Sequence, residues 1–212
     1  YDQGHMLQFI THRRGIHSET SGVRAVLEGG CRWIQLRMKG ATDNELLSTG
    51  HTVSRLCRSF GAVFIVDDRA DLVEVLGADG VHLGKNDMPV AEARGILGKS
   101  KIIGATANTV ADMFAAAEAG ADYIGLGPFR FTTTKERLSP VLGIEGYRVA
   151  MAAFRQNYNL PVVAIGGITA TDIPAILATG VNGIAMSGAL LAADDTTAET
   201  SKILELCRNR AS

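Results

Sequence analysis

A chain of 212 residues with 46% hydrophobic content can bury the core of one domain, or of two small ones. Its 21 Lys and Arg against 22 Asp and Glu leave a formal net charge of −1, which excludes a whole-surface attraction to nucleic acid or to an anionic membrane. No apolar run approaches the roughly 20 residues of a membrane helix, so no nucleic acid and no membrane is expected as a partner, and a charged ligand must be met by a local cluster.

The three cysteines, Cys31, Cys57 and Cys207, are far apart and outside any C-x-x-C. They fit reduced thiols of a cytoplasmic protein better than a disulfide framework or a zinc site. The opening "YDQGHM" reads as a protease-site and cloning remnant with Met6 as the native start. Residues 1–5 are therefore set aside, and 6–212 are expected to form one catalytic domain.

Short runs rich in Val, Ile and Leu recur along the chain: LQFIT (7–11), WIQLR (33–37), VFIVDD (63–68), GVHLG (80–84), KIIGAT (101–106), YIGLGP (123–128), PVVAIGG (161–167) and GIAMSG (183–188). Each is too short for a helix and nearly continuous in apolar character, the pattern of parallel strands buried on both faces. Segments of helical period lie between them. In NELLSTGHTVSRLCRSF most apolar residues fall on one face, while TVADMFAAAEAG and TATDIPAILATG start on Thr or Asp and end on Gly. Eight such strands, each followed by a helical stretch, predict an α/β fold: a single-domain (β/α)8 TIM barrel. A doubly wound open sheet is the alternative, but the segment after the first strand, ITHRRGIH, carries no Gly-rich fingerprint.

A barrel gathers the C-terminal ends of its strands on one rim, where sites are built. The second strand runs into QLRMK, and period two puts Gln35, Arg37 and Lys39 on one face toward the barrel mouth. Asp67 and Asp68 end the third strand and Asp87 follows the fourth, so these acids should meet beside that basic pair. Asp68 and Asp87 suit magnesium, which takes one or two carboxylates and completes its shell with water and substrate phosphate. Arg37 and Lys39 would bind the same phosphates. The plainer alternative is that Asp68 caps the next helix and pairs with Arg69, and that Asp87 is a turn residue.

The sixth strand leads into GPFRFTTTKERLSPVLG (127–143), whose threonines and Lys135 suit a lid over a bound anion, or else a plain polar loop. The last two strands end in GGIT (166–169) and MSGA (186–189), small residues that let backbone N–H groups approach a phosphate near Gly167 and Ser187. Two anion sites imply two phosphorylated small molecules, or one phosphorylated at both ends. His82 reads as a hydrogen-bonded barrel histidine rather than a base.

QLRMK, DDRADL…ADGVHLGKND, IGAT, ADYIGLGPFRFTTTK, PVVAIGGI and MSGAL stand in the order and spacing of the thiamine-phosphate synthase family, which the chain resembles from about Leu7 to Ala192. The resemblance implies a transferase that joins a pyrimidinylmethyl diphosphate to a thiazole phosphate and releases diphosphate with Mg2+. It implies that the C–O bond breaks first, leaving a pyrimidine-stabilised cation for the thiazole nitrogen to attack. Carried over, Gln35, Arg37, Lys39, Asp67, Thr106 and Lys135 contact the pyrimidine diphosphate, with Arg37, Lys39, Thr106 and Lys135 the catalytic set. Asp68 and Asp87 hold the metal, and Thr132, Thr134, Gly167, Met186 and Ser187 hold the thiazole phosphate. Asp67 departs from the family's usual Asn and leaves two partners open, the pyrimidine amino group or Arg37; Thr106 stands where Ser is usual. The alternatives are an isomerase like the related thiazole tautomerase, which uses a histidine after the fifth strand where this chain has Asn108, and a non-catalytic regulatory barrel that binds thiamine phosphate. A homodimer is compatible with a barrel of this size.

Overall fold

The computed structural model describes residues 3–131 and 140–209. Among them, parallel strands β1 (Leu7–Ile10), β2 (Trp33–Leu36), β3 (Val63–Asp67), β4 (Gly80–Leu83), β5 (Ile102–Ala107), β6 (Tyr123–Leu126), β7 (Val162–Ala164) and β8 (Gly183–Met186) pair in chain order. β8 returns to β1 through Leu7 opposite Ile184 and closes a (β/α)8 barrel. All eight apolar runs became strands, because a barrel sheathed by helices buries both faces of every strand.

The helices are α1 (Glu19–Glu28), α2 (Asp43–Phe60), α3 (Val73–Leu76), α4 (Val90–Leu97), α5 (Val110–Ala119), α6 (Gly143–Phe154), α7 (Ile173–Leu177), α8 (Gly188–Leu191) and α9 (Thr196–Asn209). Their ends follow cap chemistry. Thr42 and Glu45 form a reciprocal capping box on α2, and Gly61 ends it in the left-handed region (φ 67°). The segment TATDIPAILATG gives less helix than its period predicts: a 3-10 turn, Ala170–Asp172, then five residues of α7. Pro174 explains this, since a proline has no N–H and is tolerated only in the first turn.

Two apolar clusters result. The larger lies between sheet and helices; the smaller, Trp33, Ile65, Tyr123, Val163 and Ala185, fills the barrel. Residues of the same parity as this inner cluster point inward, which puts Gln35, Arg37, Asp67, His82 and Thr106 on the barrel axis, above the apolar floor. Gly4, within the segment set aside above, lies in a 3-10 turn, Gln3–His5, and its carbonyl accepts from the Arg32 amide (2.9 Å). Cys31, Cys57 and Cys207 are buried and outside disulfides; burial pushes the Cys31 thiol up to about 11 and Cys57 up to about 12. No helix among the described residues is long and apolar enough to cross a membrane.

Candidate active site

The predicted acids do meet. Asp67 is the last residue of β3 and lies in register with His82 of β4, whose carbonyl accepts from the Asp68 N–H (2.8 Å). Parity alone would turn Asp68 away from the axis. Its backbone sits instead in the left-handed region (φ 66°), where it is the only non-glycine among the described residues. Asp is one of the few residues that enters this region readily. From there its carboxyl reaches Asp87, whose Oδ2 also accepts from the Gly84 N–H (2.7 Å). Burial foremost, then the charge of Asp87 and a hydrogen bond between the two carboxyl groups, hold Asp68 above the ordinary carboxylate range.

The plainer alternatives divide. Arg69 pairs with Asp71 (2.9 Å) and Asp43 (2.7 Å) rather than with Asp68. Asp87 does act as a turn residue through Gly84, yet keeps its carboxyl against Asp68. The pair makes a compact donor set of hard oxygens whose mutual repulsion a divalent cation would relieve. No group of three or more His, Cys, Asp or Glu is arranged for a metal among the described residues. Two carboxylates with room for water and phosphate is what magnesium commonly takes, so the residues fit that ion.

Arg37 and Lys39 flank the acids from β2. Arg37 Nε lies 3.9 Å from Asp67 Oδ2, with both side chains mostly buried (22% and 14% exposed), and Lys39 acts electrostatically on Asp67 and Asp68. Of the two partners left open for Asp67, Arg37 is the one the structure brings near it. Burial outweighs Arg37 and Lys39 and lifts Asp67 to about 6. The folded protein thus keeps a proton that the unfolded chain releases near pH 4, so stability falls as pH rises from about 4 to about 6 and stays lower above it. Asp67→Asn, which restores an uncharged side chain of the same shape, is expected to stabilise the protein by up to about 3 kcal/mol at pH 8 and by little at pH 4. Thermal melts in a chelator at the two pH values check this, and an equal gain at both would contradict it.

Gln35 is buried and donates to Gln8 Oε1 (3.0 Å), so it faces the barrel interior as period two requires. Thr106, on β5, has its hydroxyl 2.9 Å from His82 Nε2. Asn108, where a tautomerase would carry a histidine, is committed elsewhere: its amide donates to the Gly127 carbonyl (2.6 Å) and its N–H to Asp112 (2.9 Å).

Across the rim, Gly167 follows β7 with φ 67°, Met186 ends β8 almost fully buried, and Ser187 precedes α8. Arg130 ties the turns after β6 and β7 together. Its N–H donates to Gly166 O (3.0 Å), and its guanidinium donates to Gly167 O (2.7 Å) and pairs with Asp172 (2.6 Å). Arg14 is a residue the sequence reading did not single out. A Cβ on Gly188 would lie 2.9 Å from its Nη1, so its guanidinium rests over the turn that carries Ser187. The nearest signal was two adjacent arginines in the first βα loop, of which Arg13 is taken by Glu19 (2.7 Å). Thr132, Thr134 and Lys135, and the centre of the expected lid, lie outside the described residues.

A family model described as thiamine monophosphate synthase matches residues 7–190. The chain is 57% identical over 201 residues to a thiamine-phosphate synthase of Phocaeicola vulgatus, covering 94% of this chain and 97% of that one. It is 54% identical over 203 residues to the synthase of Bacteroides thetaiotaomicron, with 95% and 97% covered. A solved thiamine phosphate pyrophosphorylase from Pyrococcus furiosus superposes with a TM-score of 0.88 at 36% identity, covering 99% of this chain and 98% of that one.

Proposed function

Because the chain belongs to the thiamine monophosphate synthase family, and is an enzyme of that family, we propose that it condenses 4-amino-2-methyl-5-hydroxymethylpyrimidine diphosphate with the phosphorylated thiazole to give thiamine phosphate and diphosphate. The observation that carries the assignment of the site is the pair of interacting carboxyl groups, Asp68 and Asp87, set beside Arg37 and Lys39 at the strand ends.

In this reading Asp68 and Asp87 hold Mg2+. The ion, when bound, neutralises charge on the departing diphosphate. Arg37 and Lys39 meet the same oxygens, Arg as a planar fork and Lys as a point charge. Thr106 donates its hydroxyl there, and Gln35 meets the pyrimidine from the barrel interior. Asp67 accepts from the pyrimidine amino group while shielding Arg37. Backbone N–H groups at Gly167 and Ser187, with Met186 beneath them, hold the thiazole phosphate on the opposite side of the mouth. Thr132, Thr134 and Lys135 keep, as part of the proposal, the phosphate contacts that the resemblance assigns them.

No residue is asked to act as a strong base. The C–O bond breaks to leave a cation stabilised by the aminopyrimidine, and the thiazole nitrogen attacks it. The chain's task is to stabilise the leaving charge, exclude water and align the nucleophile. A cytoplasmic location accords with three buried reduced thiols, and a homodimer completes the proposal. Supplying both substrates with Mg2+ should yield thiamine phosphate and diphosphate in equal amounts. Binding of both substrates without product would reject the transferase, and turnover of the thiazole carboxylate alone without metal would favour the isomerase.

A further inference from the structure

The barrel interior holds a buried chain of hydrogen bonds of which the transferase reading uses only the two ends, Gln35 and Thr106. Gln35 Nε2 donates to Gln8 Oε1 (3.0 Å), and Gln8 Nε2 donates to the Tyr123 hydroxyl oxygen (3.2 Å). That hydroxyl lies 2.7 Å from His82 Nδ1, and His82 Nε2 lies 2.9 Å from Thr106 Oγ1. Five residues from β2, β1, β6, β4 and β5 thus cross the barrel and end at a hydroxyl on the rim. Gln8, Gln35, His82 and Tyr123 are each 6% exposed or less.

The neighbouring strands are shaped around the two rings. Gly104 is in register with both His82 and Tyr123, and a Cβ there would fall within the Tyr123 ring. Gly125 is in register with Thr106, and its Cβ would come 3.2 Å from His82 Cε1. Trp33 braces Tyr123 edge-on at 4.8 Å between centroids. A polar chain is costly inside an apolar barrel unless fully satisfied, and here two strands forgo side chains to accommodate it.

One arrangement of donors is consistent along the whole chain. The Tyr123 oxygen accepts from Gln8, and in the His82 tautomer that accepts at Nδ1 the tyrosine donates to that nitrogen. An imidazole accepting at Nδ1 carries its hydrogen on Nε2 and donates it to Thr106. Thr106 Oγ1 then accepts from within, and its own hydrogen is left to point out of the barrel. We propose that His82 and Tyr123 are positioning residues which fix the Thr106 hydroxyl as a donor aimed into the mouth, toward the leaving diphosphate. A donor oriented before the charge develops needs no reorganisation as it forms. The inference rests on the reading of Thr106 as a diphosphate contact.

The test is a mutant cycle scored on kcat and on KM for each substrate. Tyr123→Phe keeps the ring and removes the hydroxyl; it is expected to lower kcat about tenfold while both KM values stay within about threefold. In a Thr106→Val background the same change should cost nothing further, because no hydroxyl remains to orient. His82→Gln, whose amide nitrogen reaches the place of Nε2, should retain kcat within about threefold, whereas the shorter His82→Asn should lose about tenfold. These two variants carry the cycle should Tyr123→Phe fail to fold, as circular dichroism melts would reveal. An equal loss from Tyr123→Phe with and without the Thr106 hydroxyl would overturn the relay and leave Thr106 in place. Wild-type turnover by Thr106→Val would remove Thr106 from the diphosphate site and the relay's role with it.

Discussion

Asp68→Asn is expected to lower kcat about a thousandfold at saturating substrates, since a bound cation contributes several kcal/mol to stabilising a departing phosphate. Asparagine is the informative replacement because it also tolerates the left-handed backbone that Asp68 adopts (φ 66°). Asp68→Ala would add a backbone cost of about 1 kcal/mol and mix two effects. Stability should move the opposite way. Without Mg2+, Asp68→Asn removes a partly exposed carboxyl that faces the like charge of Asp87, and the melting temperature should hold or rise. With millimolar Mg2+ the wild type gains stability by binding and the variant does not. Thiazole phosphate binding, on the far side of the mouth, should change little. A variant within tenfold of wild-type turnover, or one that Mg2+ still stabilises, would contradict the role given to Asp68.

The left-handed turn also marks where the sequence stops being readable. Strand positions were legible because a short apolar run between Gly-ended helices has few other uses in a helix-sheathed barrel. The meeting of Asp68 with Asp87 was legible because consecutive strand ends share a rim. That Asp68 leaves the parity of β3 to reach Asp87 was not, since no residue pattern distinguishes one left-handed aspartate from an extended one. The chain through Gln8, Tyr123 and His82 was hidden for another reason. Gln8 and Tyr123 are 115 residues apart, and His82 and Tyr123 are 41 apart. Their pairing depends on the register of strands that are not adjacent in sequence. His82 could be recognised as a barrel histidine, but its partners could not. The short α7 was overestimated because period alone ignores the proline at 174.

Gly80→Ala is expected to cost about 3 kcal/mol or more, although it adds one methyl group. The new Cβ would meet the Ile102 carbonyl oxygen head on, with the carbonyl carbon at 2.7 Å and Ile102 Cβ at 2.8 Å. Gly80 is in register with Ile65 on one side and Ile102 on the other, so β4 cannot withdraw from β5 without pressing on β3. An open sheet could fan apart to accommodate the methyl; a closed barrel passes the displacement to its neighbours. The shift also runs along β4 to His82, which holds the Asp68 N–H through its carbonyl and Thr106 through its ring. Loss of stability should therefore be accompanied by weaker Mg2+ binding in whatever fraction still folds. Gly95→Ala supplies the contrast. Gly95 lies on the exposed side of α4 with nothing within 4 Å of a Cβ, and helix propensity should make that change stabilising by up to about 1 kcal/mol. Urea unfolding of the two variants beside wild type decides it. Midpoints for Gly80→Ala and wild type that coincide would mean β4 has slack the closed barrel does not allow, and the placement of His82 would then need another cause.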